Sequence, residues 1–144
     1  MVVKQRKFSK LRQAHHREKA EDYVEMIQEL LGKQGEARLT DIAKQFGVST
    51  VTAHKIVARL QRERLIASKP YRALFLTSKG KKMATQSKHR HEIVYRFLRS
   101  LGVPENVAQV DAEGIEHHVS PKTLSIFQRF LKRNVNRNQP LSPD

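Results

Sequence analysis

The segment from residue 37 to residue 66, ARLTDIAKQFGVSTVTAHKIVARLQRERLI, constrains the fold more than any other part of the chain. It contains two apolar patterns of helical spacing, separated by Gly47, which permits a tight turn. Thr40 is the predicted N-cap of the first helix and Ser49 that of the second. The second helix repeats its apolar residues at i, i+3, i+4 and i+7, as Ala53, Ile56, Val57 and Leu60. Two short helices around such a turn predict a helix-turn-helix.

The second helix has a polar, basic face opposite its apolar one, which favours insertion into the major groove of DNA. The residues expected to approach the bases are Ser49, Thr50, Val51, Thr52 and Lys55. Those expected to bind phosphates, which position a protein without reading sequence, are Arg59, Arg62, Tyr71 and Arg72. The alternative is that these are solvated polar residues of a helical bundle.

Short β-prone runs on either side of residues 69–72 predict a hairpin with a basic tip, the wing of a winged helix. A long helix is expected between Thr77, as its cap, and Gly102, which ends it. Further helices are expected near residues 18–32, near 105–118, and from Ser120 and Pro121 onward.

The charge of the chain is strongly positive and unevenly distributed. There are 28 Lys and Arg against 14 Asp and Glu, a net charge of +14. Residues 1–87 contain 19 basic and 8 acidic residues, and residues 88–144 contain 9 and 6. This excess predicts a nucleic-acid surface within the first 87 residues. Residues 1–19 are expected to be either a solvated tail or a basic arm that touches phosphates.

Several classes of protein are excluded by the sequence. The chain has no cysteine, which rules out disulfide scaffolds and thiolate metal sites. It has no apolar run of the ~18 residues that a membrane span needs, and no export signal is evident, so a cytoplasmic protein is expected. His91 and Glu92 begin an H-E-x-x-H pattern, but Tyr95 occupies the fifth position. We therefore expect neither an enzyme nor a small-molecule substrate other than a metal ion.

Three short segments carry metal-ligating side chains: Asp22 with Glu25, His91, and the run EGIEHH. Within that run Glu113, Glu116 and His117 follow i, i+3, i+4 spacing and share a helix face. If the three helices meet, four carboxylates and two imidazoles converge, and two divalent cations would balance the four negative charges. Such oxygen-rich sites suit manganese or ferrous iron, although zinc would also bind. The alternative is that these are solvent-facing charges on amphipathic helices.

The runs EDYVE, YRALFLTSKGKK, RHEIVYRFLRSLGV and DAEGIEHHVS closely resemble manganese-responsive members of the diphtheria toxin repressor family, from about Arg12 to Phe130. The resemblance implies a homodimeric, Mn(II)-dependent repressor that binds operator DNA and controls manganese uptake genes. It implies two ions per subunit, bridged by Glu25 and Glu116. Asp22 favours manganese because iron-responsive members tend to carry a thioether there. The implied ligands are Asp22, Glu25, His91, Glu113, Glu116 and His117.

The fold class expected is mostly α with a small β-wing, in which a winged helix-turn-helix precedes a helical metal-binding and dimerisation domain. The predicted divisions are a basic arm at 1–19, a DNA-binding domain at 20–87, a helical domain at 88–133 and a flexible tail at 134–144. Two alternative functions stay open at this point. One is an iron-responsive member of the same family, and the other is a metal-independent winged-helix protein that binds nucleic acid.

Overall fold

The computed structural model describes residues 2–69 and 73–137, with side chains described for 8–69 and 73–135. The chain divides into two compact units, Met1–Gln86 and Ser87–Asp144. The described part is mostly helical with a two-stranded antiparallel sheet, so the predicted fold class is confirmed. The elements in chain order are α1 (Val2–Gln34), α2 (Leu39–Phe46), α3 (Thr50–Arg62), β1 (Ile66–Lys69), β2 (Ala73–Leu76), α4 (Ser78–Ser100), α5 (Glu105–Ile115) and α6 (Pro121–Arg137).

The core of the first unit is formed by the apolar faces of α1, α2 and α3 and by the inward side of the hairpin. Ile27, Ile42 and Leu60 are fully buried, one from each of the three helices. The strands pair in antiparallel register with Ile66 opposite Leu76, and both side chains are buried. The hairpin after α3 thus confirms the predicted wing. Its tip, including Tyr71 and Arg72, lies outside the described residues.

Two of the three predicted features around the helix-turn-helix are confirmed and one is wrong. Gly47 follows α2 in the left-handed conformation with a φ of 63°, and Ser49 Oγ accepts a hydrogen bond from the backbone N–H of Thr52. Thr40, however, lies inside α2, and Arg38 takes the N-cap position without a side-chain cap bond. Arg38 forms an isolated β-bridge to Ala73, which fixes its extended backbone. The helix therefore begins earlier than its first hydroxyl residue suggests.

The first helix is much longer than predicted, because α1 begins at Val2 and not near residue 18. The residues expected to form a tail or arm are therefore helical. The sequence from 2 to 31 contains no Gly or Pro to interrupt a helix. His16 also bonds to the Arg59 side chain, which holds this part of α1 against α3. The apolar periodicity of the segment is too weak to reveal such a tertiary contact.

The predicted caps of the later helices are confirmed. The hydroxyl of Thr77 accepts the backbone N–H of Gly80 at the start of α4, and that of Ser120 accepts the N–H of Thr123 in α6. Gly102 follows α4 with a φ of 95°. The α6 helix runs three residues further than Asn134, where the tail was predicted to begin, and the rest of that tail lies outside the described residues. Among the helices described, none is long and apolar enough to cross a bilayer.

We expect Gly80→Ala to destabilise the first unit. A Cβ atom at this position would clash with the backbone oxygen of Leu65, so α4 and the start of the wing would have to separate. Overpacking of this kind typically costs about 1–3 kcal/mol. The measurement is chemical unfolding of the two proteins in parallel.

Gly32→Ala is the matched control, because a Cβ there meets nothing within 4 Å. Its replacement in a helix should be neutral or stabilise by up to about 1 kcal/mol. Equal unfolding free energies for both variants would contradict the close approach at Gly80.

Candidate metal centre and nucleic-acid interface

The second unit brings three of the predicted metal ligands together between α4 and α5. His91 lies on α4, Glu113 in the last turn of α5, and Glu116 directly after that helix, with its backbone N–H still bonded to Ala112. One ligand atom from each of the three lies within 4.8 Å of the others. The Nδ1 atom of His91 is 2.7 Å from Glu116 Oε2 and 3.5 Å from Glu113 Oε1. This is a preformed group of two carboxylates and one imidazole.

Glu116 is the most constrained residue of this cluster. Only 1% of its surface is exposed, and neither carboxylate oxygen has a hydrogen bond of regular geometry within the described part of the chain. His117, also buried, places Nε2 at 3.5 Å from Glu116 Oε1. Burying a carboxylate is costly unless opposite charge accompanies it. The donor set and this burial fit a hard divalent cation beside imidazole ligands.

The pKa of His91 is raised to about 9. The largest cause is the close approach of the Glu116 carboxylate to the ring; burial opposes the shift, and the contact with Gln109 and the charges of Glu116 and Glu113 add to it. Gln109 Oε1 lies 3.1 Å from Nε2 of the ring. In the metal-free protein the imidazolium therefore supplies the positive charge that the buried carboxylate requires.

The other two predicted ligands belong to the first unit. Asp22 and Glu25 are half-buried and lie nearly one helical turn apart on α1, so both project from the same face. Between them, Tyr23 is buried and stacks on Phe46, with ring centroids 4.5 Å apart. Its burial raises the pKa of the Tyr23 hydroxyl. This anchored tyrosine fixes the rotation of α1 and with it the direction of the two carboxylates. Their role as ligands stays a prediction.

The predicted DNA-reading residues lie at the exposed N-terminal end of α3. Thr50, Val51, Thr52 and Lys55 are exposed, and Ser49 is the N-cap residue. Arg62 is also exposed, at the last position of the helix. Arg59 differs from the others: it is half-buried, and its guanidinium is 2.8 Å from His16 Nδ1. Arg59 therefore braces α1 against α3, a contact that the sequence did not reveal.

Sequence reasoning also missed Gln109, which bonds to His91. A usable pattern was present, because Gln109 precedes Glu113, Glu116 and His117 at i, i+4, i+7, i+8 spacing. For His16 and its partner Glu63 no comparable pattern exists, since their contact joins residues far apart in the chain.

A winged helix-turn-helix in one unit and a carboxylate–imidazole cluster in the other define a DNA-binding protein of the metalloregulator class. Residues 15–74 match the iron-dependent repressor N-terminal DNA-binding domain. Residues 77–137 match the iron-dependent repressor metal-binding and dimerisation domain. The chain belongs to this iron-dependent (diphtheria toxin) repressor family, which includes the MntR transcriptional regulators.

Similar proteins include the transcriptional regulator MntR of Escherichia coli O157:H7, 46% identical over 127 residues, which are 88% of this chain and 82% of the relative. The HTH-type transcriptional regulator MntR of Bacillus subtilis (strain 168) is 43% identical over 100 residues, 69% of this chain and 70% of the relative. A solved manganese-dependent transcriptional repressor in complex with manganese is 27% identical with a TM-score of 0.71, over 78% of this chain and 52% of that one. The manganese regulator SloR is 26% identical with a TM-score of 0.70, over 78% and 53%. The chain thus spans about half the length of these two solved structures.

Binding of a divalent cation at the His91 cluster should release about one proton at pH 7.5, because the pKa of His91 in the metal-free protein is about 9 and a metal ligand must be neutral. Affinity for the cation should accordingly fall as pH falls, by about tenfold per unit below the pKa. Calorimetry in buffers of different ionisation enthalpy measures the proton directly. A binding enthalpy that is independent of the buffer would contradict the assignment.

Proposed function

We propose that this chain is a Mn(II)-dependent transcriptional repressor that binds operator DNA as a homodimer and controls manganese uptake. The observation that carries the proposal is the buried Glu116 carboxylate with His91 and Glu113 around it. The identity to MntR of Escherichia coli over most of both chains supports the regulatory role. The likeness to a manganese-dependent repressor solved with manganese supports the choice of metal.

The residues that would hold the metal are those implied by the family resemblance. His91, Glu113, Glu116 and His117 come from the second unit, and Asp22 and Glu25 from α1 in the first. Two divalent ions would balance the charge of the four carboxylates. The donor set is mostly oxygen, with imidazole and no thiolate, which favours Mn(II) and Fe(II).

Several large apolar side chains of the second unit are exposed, and their number supports the proposed homodimer. Large contiguous apolar patches usually mark an interface. Exposed members in this unit include Leu101, Val107, Val110, Ile115, Ile126 and Phe130. A symmetric dimer would present two copies of α3 to successive major grooves, with half-sites ~34–36 Å apart.

The proposed coupling between metal and DNA is electrostatic. Without a cation, the acidic ligands of the two units repel one another, so the two reading helices sample many separations. Bound cations supply the charge that lets these carboxylates share one site. Operator affinity then rises because the spacing of the helices is fixed in advance, and no new contact with DNA is required.

The test is a titration of DNA binding with Mn(II), Fe(II), Co(II) and Zn(II) in anaerobic buffer, with EDTA as the metal-free reference. The DNA is a duplex selected from a random library by the Mn(II)-loaded protein. Equal affinity in Mn(II) and EDTA would refute the proposal in favour of a metal-independent winged helix. A response to Fe(II) that exceeds the response to Mn(II) would instead support an iron-responsive regulator, the function that the name of the matching family suggests.

We expect Glu116→Gln to abolish the increase in operator affinity that Mn(II) produces, while the fold is retained. The amide keeps the shape of the buried side chain but lacks the charge that a cation requires. Mobility-shift titrations with Mn(II) and with EDTA measure this increase.

The control for this variant is Glu92→Gln, which removes a carboxylate that is exposed on α4 beside His91. This variant should respond to Mn(II) like the wild type. A normal Mn(II) response from Glu116→Gln would overturn the assignment of the site.

Lys55→Ala should weaken binding to the selected duplex by about 1–3 kcal/mol, the range for a good base contact, and should not change the Mn(II) affinity of the free protein. The first quantity is measured by fluorescence anisotropy and the second by calorimetry. Lys122→Ala removes the same charge from an exposed position of α6 in the other unit. Equal losses for the two variants would show that Lys55 acts only through net charge.

A further inference from the structure

The first unit contains a groove that the proposed function does not use. It lies between the N-terminal part of α1, the end of α3 and the start of α4, and it encloses about 670 Å³. We call it the basic groove because three of its lining residues, Arg12, Arg17 and Lys79, carry a positive charge. One acidic residue, Glu63, also lines it.

The part of α1 that forms one wall, residues 8–19, is fixed to the reading helix. Arg59 of α3 contacts His16 twice, with 2.8 Å to Nδ1 and 3.3 Å to the backbone oxygen. Glu63 Oε1 lies 3.6 Å both from His16 Nε2 and from Arg59 Nε. Because of these contacts, residues 8–19 keep a set position relative to α3.

The wall formed by the start of α4 is attached to the same residue, Glu63. The Nζ atom of Lys79, at the start of α4, donates to the backbone oxygen of Glu63 at 3.2 Å. The side chain of Glu63 is meanwhile engaged by His16 and Arg59. The one carboxylate that lines the groove is thus directed to internal partners, and the net charge of the groove is positive.

The part of α1 that borders the groove is itself basic. Residues 8–19 contain Lys10, Arg12, Arg17 and Lys19 against the single acid Glu18. Lys10, Arg12 and Lys19 are exposed, as is Arg17, although it also lies 3.9 Å from Glu21. A basic surface of this kind on a rigid element favours a polyanion.

The location of the groove relative to α3 indicates which polyanion it meets. The 13 residues of α3 correspond to a length of roughly 20 Å. The major groove of B-DNA is only about 12 Å wide. If α3 enters the major groove by its N-terminal end and at an angle to the groove, its C-terminal end, where Glu63 follows, lies near the rim where the phosphates run.

We propose that the basic groove binds the DNA sugar-phosphate backbone beside each half-site, as a second contact surface that is independent of base sequence. This inference rests on the proposed function, since it takes α3 as the reading helix. It gives the helical N-terminal segment a role: it extends the DNA footprint beyond the winged helix-turn-helix.

The test compares two double variants. The groove variant is Arg12→Gln/Lys79→Gln, and the α6 variant, Lys122→Gln/Lys132→Gln, removes the same charge from α6. Each Mn(II)-loaded protein is titrated with the selected duplex and with a random-sequence duplex over a range of salt concentrations. Each lost phosphate contact should reduce the slope of log affinity against log salt by about 0.9, so the groove variant, which loses two contacts in each of two subunits, should lose about 3.6. Its affinity should fall by the same factor on both duplexes. The α6 variant should retain the wild-type slope.

Three results would overturn the inference. They are an unchanged slope in the groove variant, an equal change in the α6 variant, and a loss confined to the selected duplex. The single variant Arg12→Gln, at an exposed helical position, should show about half of the slope reduction seen in the double variant. It serves as a control for a folding defect in the double variant. If Mn(II) fails to raise the affinity of the wild type, the proposed function fails, while the slopes on random DNA still decide on the groove.

Discussion

The buried carboxylate of Glu116 is the constraint on which the candidate site depends. A charge removed from water is unfavourable until an opposite charge accompanies it. In the metal-free chain His91 fulfils this need, at 2.7 Å, which is why the imidazole holds its proton so firmly. In the proposed site, the same pocket would accept either a proton on His91 or a cation among the ligands. Sensitivity to metal would then follow from this competition within one small cluster.

Much of the fold was predictable because its determinants are local. The stripe from Ala53 to Leu60, the turn at Gly47 and the cap at Ser49 each depend on a few neighbouring residues. The predictions were wrong where contacts between residues far apart in the chain determine where a helix begins. Arg38 begins α2 because it bridges to Ala73, and α1 extends to Val2 with His16 held by Arg59. Neither contact leaves a periodic pattern in the sequence.

The candidate site was likewise predictable in part. Glu113 and Glu116 share a helix face through their spacing, and the resemblance pairs them with His91, so the cluster in the second unit was predictable. The burial of Glu116 and the contact from Gln109 were not, because they depend on how α4 packs against α5. Arg59 shows a contact that helical phase does not reveal, because its guanidinium is engaged by His16. Its expected role in binding phosphate stays a prediction.

The cap of α3 also has a consequence for how bases are distinguished. Ser49 Oγ accepts the N–H of Thr52 and donates its own proton to Thr52 Oγ1. One lone pair of the Thr52 hydroxyl is thereby occupied, which leaves its proton to be donated elsewhere. If Thr52 meets the bases as proposed, this arrangement favours acceptors such as purine N7, guanine O6 or thymine O4 over exocyclic amino groups. The N-cap residue would thus set the polarity of an atom that is proposed to face the nucleobases.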